Sequence, residues 1–571
     1  MLPPLSPLLW VPLLLLLLPS IADGKETECP FLALLTTTAL TFSDCATVLL
    51  PFWDFLNKNC AVVPDLCEPP YSDSNITATP NIQKDDQSAS TATRVTLEWL
   101  NQTCAMTGPS WSSLTVPVAT VTGTVPLPQM GSATTSVLLD DPARYPSYGR
   151  TITSDATTAS YAVDFFTSLG VGKVCVVHRE DEWGDQYSYA FLEAAREATP
   201  PIAAVSFVQR EGVAEKMEEE GCQNFFAAVF DFDHLHDSGG SPAADAGLNS
   251  EANMWLFGDG VGEEELLEIW PLSAGYGMIT ATGYVAGLPQ SEKLRAHWEA
   301  QGTNFANYVR GFAGCAWNPL DVSELPPTDY FQTTPSLYTG VQAFEYDAVM
   351  AVLLGASKQD ANGGFNETNL ADTNNNGKSV LYERTINMDF LGASGRVAFS
   401  TVTGTRSAET VVTGIYNMQN APASAGSPSR SLAAGLPAFP LVSSKSFGSP
   451  WSSVAGLKFI FPNGLSTIAP QIYPPLVEMN YIPDSFALIG IILMALTMLL
   501  TLALAAWILW FKNDQILKAS QPMFLLTILA GTFVYERERS KRKETGGWLR
   551  QKRPESRGAS EASKKKKALL R

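Results

Sequence analysis

Val174-Cys-Val-Val-His-Arg-Glu-Asp-Glu-Trp-Gly184, together with the segment Gln186 to Ala198, decides the fold class of this chain. Val174 to Val177 is a short apolar run rich in β-branched residues, which is typical of a buried strand. Gln186 to Ala198 has the apolar spacing of an amphipathic helix. A strand that leads into a helix is the repeating unit of an α/β fold with parallel strands.

The same alternation recurs on both sides of this stretch. Phe225 to Phe230 and Met254 to Phe257 are predicted strands, and Ala156 to Ser168 and Tyr346 to Gly355 are predicted amphipathic helices. About 410 residues lie between Cys29 and Pro440, which is enough for two lobes of ordinary domain size. The sequence therefore predicts a large α/β region built on parallel sheets.

A single uncharged run, Ser485 to Phe511, follows this region. Its 27 residues exceed the roughly 20 that cross the hydrocarbon core of a bilayer. We therefore predict a transmembrane helix at 485–511.

The two ends of the chain predict which side of the membrane each part occupies. Residues 1–24 have the leucine-rich centre and the small residues near the cut that are typical of a secretory signal peptide. Residues 536–571 carry 14 Lys and Arg against 5 Glu, which predicts a cytoplasmic tail by the positive-inside rule. We expect residues 25–484 to face outward, in a plasma-membrane protein with an extracellular N-terminus.

The cysteines and the candidate glycosylation sites agree with this topology. All eight cysteines precede the apolar run, and an even number in an oxidising compartment predicts disulfides whose pairing the sequence leaves open. Three Asn-x-Ser/Thr acceptors also precede it, although such tripeptides arise by chance as well. They are Asn75, Asn101 and Asn366.

The charge distribution restricts the class of ligand. The formal net charge is −19, and residues 1–535 carry 24 Lys and Arg against 52 Asp and Glu. An acidic surface repels the phosphates of a nucleic acid, so we expect no nucleic-acid partner. The expected ligand is small or partly cationic.

A series of short motifs carries a family resemblance. The motifs are Gly108-Pro-Ser-Trp-Ser-Ser113, Val125-Pro-Leu-Pro-Gln129, Ala133-Thr-Thr-Ser136, Tyr145-Pro146 with Arg150, Ser154-Asp155, His178-Arg-Glu-Asp-Glu-Trp-Gly184, Trp255-Leu-Phe-Gly-Asp-Gly260, Tyr346-Asp-Ala348, Phe390-Leu-Gly-Ala-Ser-Gly-Arg-Val-Ala-Phe399 and Ile516-Leu-Lys-Ala-Ser-Gln-Pro522. In this order and at these spacings, the chain resembles the class C G-protein-coupled receptors, the metabotropic glutamate and GABA type B group. Their ligand-binding region is itself similar to periplasmic amino-acid-binding proteins.

The resemblance implies a fold and one end of a ligand pocket. The implied fold is a bilobed periplasmic-binding-protein-like clamp of two doubly wound parallel-sheet lobes, followed by a transmembrane helix. Ser112 and Thr135 match positions whose hydroxyls hold the α-carboxylate of an amino acid, with backbone N–H groups completing the anion site. Ala133 falls where a serine is usual, although its backbone N–H is unaffected.

The other end of the implied pocket would hold the α-ammonium. Asp155 and Asp259 match acidic residues that receive this group from opposite lobes, and Trp183 replaces a tyrosine whose ring packs over the ligand. Simpler interpretations exist for each residue type. Ser112 and Thr135 fit ordinary helix N-caps, Trp183 fits a cap on the lobe interface, and Asp259 between two glycines fits a turn.

Two groups of candidate metal ligands also occur. Asp372, Asn374, Asn376 and Glu383 have the spacing of a calcium-binding EF-hand loop. The Gly- and Asn-rich segment before them is no entering helix, so a solvated insertion loop is the favoured interpretation. The second group, within Asp231 to Asp237, is favoured as a polar loop after a strand. We expect no cofactor.

The segments near the membrane run distinguish branches of the resembled family. No cysteine follows Cys315, so the cysteine-rich spacer of glutamate and calcium-sensing receptors is absent and the GABA type B-like branch is implied. Residues 25–440 are the predicted ligand-binding region and 441–484 a linker. Residues 512–522 resemble the first intracellular loop of such receptors and 523–535 a partial second transmembrane helix. The basic, low-complexity tail at 536–571 predicts a truncated receptor.

These observations favour a cell-surface receptor that binds a small amino-acid-like ligand. Coupling to a heterotrimeric G protein would need a complete seven-helix form or partner, and a receptor homo- or heterodimer is implied by the resemblance. No catalytic motif occurs, so we expect no enzyme. Two alternatives stay open: a single-pass amino-acid-binding or decoy protein without G-protein coupling, and a binding component that feeds a transporter.

Overall fold

The computed structural model describes the larger part of the 571-residue chain. A first compact unit extends to Leu476 and a second begins at Val477. The described residues are 27–230, 246, 248, 253–260, 277–280, 288–334, 341–360, 379–417, 419–420, 437–438, 441–453, 459, 496, 499–504, 506–507 and 509–511.

Strands and helices alternate along most of the first unit. The strands are β1 (Thr27–Leu35), β2 (Ile76–Lys84), β3 (Ala105–Thr107), β4 (Gln129–Gly131), β5 (Tyr148–Arg150), β6 (Lys173–His178), β7 (Ala203–Val208), β8 (Asn224–Ala228), β9 (Met254–Phe257), β10 (Gly277–Thr280), β11 (Asp389–Gly392), β12 (Gly395–Ala398), β13 (Val412–Asn417), β14 (Gln419–Asn420), β15 (Pro437–Ala438), β16 (Leu441–Ser446) and β17 (Ser452–Ser453). The α-helices are α1 (Phe42–Leu56), α2 (Ala89–Trp99), α3 (Ser112–Thr124), α4 (Asp155–Ser168), α5 (Glu182–Glu197), α6 (Val213–Glu219), α7 (Pro289–Glu299), α8 (Thr303–Arg310), α9 (Tyr330–Thr333), α10 (Val341–Asp360) and α11 (Val380–Ile386).

The first lobe is built on a five-stranded parallel sheet in the order β2-β1-β3-β4-β5. Helix α10 lies against this sheet, and its residues 348–356 are all apolar and buried. A helix that is apolar all round belongs in the centre of a core. The chain therefore returns to the first lobe before β13, β16 and β17 complete the second.

The second lobe has a larger, mixed sheet in the order β17-β16-β13-β10-β9-β8-β6-β7. Strands β6 to β10 pair in parallel, and β13, β16 and β17 are antiparallel. Helices α4 and α5 cover one face and share a core with β6 and β8. Both lobes thus have the α/β architecture with parallel strands that the sequence predicted.

Most predicted elements are confirmed with shifted ends. The strand at Met254–Phe257 is as predicted, and the helix predicted from Ala156 begins one residue earlier. Helix α5 begins at Glu182, well before the predicted Gln186, because the Asp181 side chain accepts hydrogen bonds from the N–H groups of Trp183 and Gly184.

The C-terminal boundary of the ligand-binding region also differs from the prediction. Residues 441–453, which the sequence assigned to a linker, form β16 and β17 of the second sheet. Leu441 and Val442 are buried there, and Phe459 packs against Phe165 of α4. The second lobe therefore extends beyond residue 440.

Disulfides account for every cysteine. Cys29–Cys104, Cys45–Cys315 and Cys60–Cys67 lie in the first lobe, and Cys175–Cys222 joins β6 to the start of β8 in the second. The prediction of disulfides is confirmed. Asn75 and Asn101 are exposed, as a glycan requires, and Asn366 lies outside the described residues.

The predicted membrane segments are only partly described. Of residues 485–511, the structure describes 496, 499–504, 506–507 and 509–511. Within the described part of the chain, no helix combines the length and the hydropathy that a membrane crossing requires. The predicted signal peptide at 1–24 and the segments at 512–522, 523–535 and 536–571 lie outside the described residues.

Candidate functional site

A short loop after β4, residues 132–136, faces the second lobe. The N–H of Asp155 donates to Thr135 O over 2.9 Å. The N–H of Ser136 donates to Ser112 Oγ over 3.4 Å, so the first residue of α3 touches the loop. Ala133 lies in the same loop, between Gly131 and Thr135. The three predicted carboxylate-end residues are therefore neighbours.

The interpretation of Ser112 and Thr135 as helix N-caps does not hold. The N-cap of α3 is Trp111, and no side chain caps that helix. Ser136, not Thr135, caps the 3₁₀ turn Val137–Asp140 by accepting from the N–H of Leu138. The hydroxyls of Ser112 and Thr135 thus do not serve helix ends.

Trp183 lies where the two lobes meet. Its Nε1–H donates to Thr135 Oγ1 over 3.0 Å, and its ring stacks on Phe230 with centroids 4.3 Å apart. Next to it, Ser136 Oγ donates to Glu182 O over 3.1 Å. Trp183 is only 4 % exposed. These two hydrogen bonds join the first-lobe loop directly to the start of α5 in the second lobe.

Two carboxylates on the second lobe face this junction. Asp155 is the first residue of α4, and Asp259 lies in the turn after β9. Because α4 packs in the core of the second lobe, both residues belong to that lobe, and the expectation that they come from opposite lobes is wrong. Both oxygens of Asp155 and Oδ1 of Asp259 are buried and have no partner with hydrogen-bond geometry among the described residues, although the Thr135 hydroxyl lies near Asp155 and opposes the rise of its pKa.

The electrostatics of the pair disfavours ionisation of both groups. Burial raises the pKa of Asp155 well above its usual range, and the nearby charge of Asp259 raises it further. Burial also raises the pKa of Asp259, to about 6. A cation placed between the carboxylates would reverse both effects, because it stabilises the ionised forms.

The hydroxyl of Tyr187 is a fourth buried oxygen of this kind, on a third residue. Tyr187 is fully buried one helical turn after Trp183, and its ring meets Trp183 edge-on at 5.7 Å. Its hydroxyl has no partner with hydrogen-bond geometry among the described residues, although the Thr158 side chain lies near it. Burial raises the pKa of this hydroxyl well above its usual value, and Asp259 and Asp155 raise it further. Sequence reasoning missed Tyr187. The available signal was its i,i+4 spacing from Trp183, which places both rings on one helix face.

The glycines around Asp259 let the turn approach these rings. A Cβ on Gly258 would lie 3.1 Å from Cε1 of Tyr187, and one on Gly260 would lie 2.4 Å from the carbonyl oxygen of Val229 and 2.8 Å from the Trp183 ring. A larger residue at 260 would therefore displace Asp259. Asp259 therefore lies in a turn, as its two flanking glycines indicate, and also lies beside the rings of Tyr187 and Trp183.

We define the interlobe site as Ser112, Ala133, Thr135, Asp155, Trp183, Tyr187 and Asp259. Its first-lobe side offers hydroxyls and backbone N–H groups, and its second-lobe side offers carboxylate and phenol oxygens. Such a set is suited to a ligand that carries an anion at one end and a primary ammonium at the other.

The candidate metal ligands fall elsewhere. Glu383 lies on α11, whereas Asp372, Asn374 and Asn376 are outside the described residues, as is the segment 231–237. Within the residues that the structure describes, no three His, Cys, Asp or Glu side chains gather in a metal-binding group.

The chain is similar to one known protein family and to several known receptors. The family profile of the receptor family ligand binding region matches residues 68–420, more than half of the chain. Metabotropic glutamate receptor 6 from Oryctolagus cuniculus, from Rattus norvegicus and from Mus musculus is in each case 33 % identical over 94 residues. That alignment covers 16 % of this chain and 11 % of each relative, so the chain spans about a tenth of the relatives it matches.

Proposed function

The chain belongs to the receptor family that shares this ligand binding region, and we propose that its two-lobed clamp binds a small amino-acid-like ligand. Its ligand-binding region is class C receptor-like and is of the extracellular type. We further propose that the chain is part of a cell-surface receptor of the plasma membrane. In this proposal the clamp changes shape around its ligand and makes or breaks no bond.

The observation that carries the proposal is the group of unpartnered oxygens on Asp155, Asp259 and Tyr187. Leaving buried polar atoms unpaired destabilises a protein by about 1–3 kcal/mol per group. A primary ammonium has three N–H donors and a positive charge, which match three acceptor groups that lie close enough to shift one another's pKa. A ligand ammonium would therefore donate hydrogen bonds to these three groups. Its charge would also favour the ionised form of both carboxyl groups.

The opposite end of the ligand would meet the first-lobe loop. A carboxylate there accepts hydrogen bonds from the hydroxyls of Ser112 and Thr135 and from loop N–H groups. Thr135 already accepts from Trp183 Nε1–H across the lobes. Its own hydroxyl can donate one hydrogen, either to the nearby Asp155 carboxylate or to an anionic ligand oxygen.

The branch and the signalling partner are further parts of the proposal. The lack of cysteines after Cys315 favours a GABA type B-like branch, whereas the three relatives named above are glutamate receptors that match over 94 residues. Ligand that bridges the lobes would favour the closed state by differential contacts. G-protein coupling, receptor dimerisation and the membrane helix at 485–511 follow only as expectations from receptors of this class.

Thermal unfolding of the full-length chain with each common amino acid and with GABA tests the proposal. We expect saturable stabilisation by one of them, because a ligand that binds the native state raises stability by mass action. Asp259→Ala and Thr135→Ala should both abolish that shift. A folded protein that shows no shift with any of these compounds would contradict the amino-acid assignment.

A further inference from the structure

Arg150, the last residue of β5, is fully buried beneath the interlobe site. Its Nη1 donates to Thr134 O over 2.9 Å and to Ser136 O over 3.0 Å. Its Nε donates to Thr405 Oγ1 over 3.1 Å. The loop 132–136 therefore rests on one guanidinium group.

These bonds fix the orientation of two peptide groups in the loop. A trans peptide points its C=O and its N–H in opposite directions. Since the carbonyls of Thr134 and Ser136 point at Arg150, the N–H groups of Thr135 and Val137 point away from it. The peptide between them is held as well, because Thr135 O accepts from the N–H of Asp155 and the N–H of Ser136 points at Ser112 Oγ.

Asp140 extends the hydrogen-bond network of Arg150 to the other end of the site. Its Oδ1 accepts from Arg150 Nη2 over 2.5 Å and from Thr405 Oγ1 over 2.6 Å. Its Oδ2 accepts from Ser154 Oγ over 2.5 Å, and Ser154 is the N-cap of α4, directly before Asp155. The Arg150–Asp140 pair thus supports both the anion end and the cation end.

We propose that Arg150, oriented by Asp140, is a positioning residue that sets the loop 132–136 so that its N–H groups receive the carboxylate of the ligand. This inference rests on the proposed function. It assigns the preference of the site for an acid over the corresponding amide to Arg150 and Asp140, neither of which would touch the ligand.

Lysine cannot replace this guanidinium. Arginine holds several donors in one rigid plane, and here they serve two carbonyls, a hydroxyl and a carboxylate at once. An ammonium on a flexible stem keeps the charge next to Asp140 but loses the simultaneous hold on both carbonyls. Arg150→Lys therefore separates loop positioning from charge.

The binding test compares acids with their amides. Full-length wild type, Arg150→Lys and the milder Asp140→Asn are titrated with L-alanine, L-leucine, L-glutamate and L-arginine, and with the α-amide of each. In Arg150→Lys we expect the affinity for the best-binding acid to fall about tenfold and that for its amide to change little. Asp140→Asn should give a smaller loss of the same kind. Equal weakening of acid and amide would reduce Arg150 to a structural role and overturn the proposal.

Arg406→Lys is the matched control. Arg406 is also buried, and its backbone N–H donates to Arg150 O, but its side-chain hydrogen bonds go to Ser394, Arg396, Thr410 and the carbonyl of Thr151 rather than to the loop 132–136. We expect it to lower stability and to leave the ratio of acid to amide affinity unchanged. A change in that ratio as large as that of Arg150→Lys would also overturn the proposal.

Amide hydrogen exchange gives a test that needs no ligand. In Arg150→Lys and Asp140→Asn the amides of Ser136 and Asp155 should exchange faster than in wild type, while those of β1 stay protected. Unchanged exchange at both amides in folded variants would overturn the positioning role. Failure of wild type to bind any of the common amino acids or GABA contradicts the proposed function instead, and the exchange result then decides the role of Arg150 by itself.

Discussion

The two sides of the interlobe site differ in how their polar groups are satisfied. On the first-lobe side, the carbonyls of residues 134 to 136 are all hydrogen-bonded, to Arg150 or to the N–H of Asp155. On the second-lobe side, Asp155, Asp259 and Tyr187 hold buried oxygens that no described residue contacts by a hydrogen bond. One side is preorganised, and the other keeps an electrostatic strain that a cationic ligand group would relieve. Residues kept for function are often those that lower the stability of the free protein.

The largest expected effect comes from removing one charge of the strained side. In Asp259→Asn we expect the affinity for the amino acid found by the thermal screen to fall about 100-fold, because a buried charge pair with the ammonium is lost. Without ligand, the free energy of unfolding at pH 7 should rise by up to about 3 kcal/mol, because the pKa of Asp259 is about 6 against an ordinary 3.8. Chemical denaturation and titration calorimetry measure the two effects.

Asp347→Asn is the matched control for that prediction. Burial also raises the pKa of Asp347 to about 6, but this carboxylate accepts from the N–H groups of Ala393 and Ser394 and from Ser394 Oγ. Its amide variant escapes the same burial cost, but it loses an acceptor for these three donors and turns an NH₂ group towards them. The lost hydrogen bonds outweigh the gain, so the variant should lose stability. If both variants changed stability in the same direction, the contrast between strained and satisfied carboxylates would be lost.

The second effect is a dependence of binding on pH. A protonated Asp259 carries no charge for the ammonium, so affinity should rise about tenfold from pH 5 to pH 7. The ligand-free protein should show the opposite trend. Because the native pKa of Asp259 lies above the ordinary value, its contribution to stability is present at low pH and is lost as pH rises from about 4 through about 6. A flat affinity profile over this range would argue against an ionised Asp259 in the complex.

Tyr187→Phe should have a smaller effect of the same sign as Asp259→Asn. The variant removes an unpartnered hydroxyl and keeps the ring that packs on Trp183 and Phe226. We expect about a tenfold loss of affinity, the lower end for one hydrogen bond to a charged group, with no loss of stability in the absence of ligand. Tyr189→Phe serves as the control, because Tyr189 lies on the same helix with its side chain 57 % exposed. Equal losses in both variants would remove Tyr187 from the site.

Trp183→Phe tests the junction between the two sides and should have the smallest effect on binding. It removes the hydrogen bond from Nε1–H to Thr135 and keeps an aromatic ring over Phe230. We expect a loss of about 1 kcal/mol in stability without ligand and a change of affinity within about threefold. A loss of affinity comparable to that of Asp259→Asn would mean that Trp183, rather than the second-lobe oxygens, dominates ligand binding.

The sequence predicted those parts of the fold that depend on local apolar patterns. Val174 to Val177 and Met254 to Phe257 are strands because their residues are apolar and buried on both faces of the sheet. It did not predict β16, where only Leu441 and Val442 are apolar and a serine-rich segment follows. That strand forms because β13 provides a partner. Disulfide pairing was likewise set by tertiary structure.

The same division applies to the site. The family-like motifs placed Ser112, Thr135, Asp155, Trp183 and Asp259 close together, and the structure brings them into one neighbourhood. The roles of buried polar networks were not predictable, because they join residues far apart in the chain. Arg150 and Thr405 are 255 positions apart and share a hydrogen bond. Whether a buried carboxylate has a hydrogen-bond partner depends on residues that are distant in the sequence, so no local sequence pattern predicts it.

Proton release on binding tests the account most directly. Calorimetric titration of the full-length protein at pH 5.5, in two buffers that differ in ionisation enthalpy, measures the number of protons exchanged with the amino acid that gives the largest thermal shift. If the ammonium binds between Asp155 and Asp259, binding should release protons, and Asp259→Asn should release fewer. Binding without proton release in the wild-type protein would contradict the assignment of the second-lobe oxygens as the ammonium site.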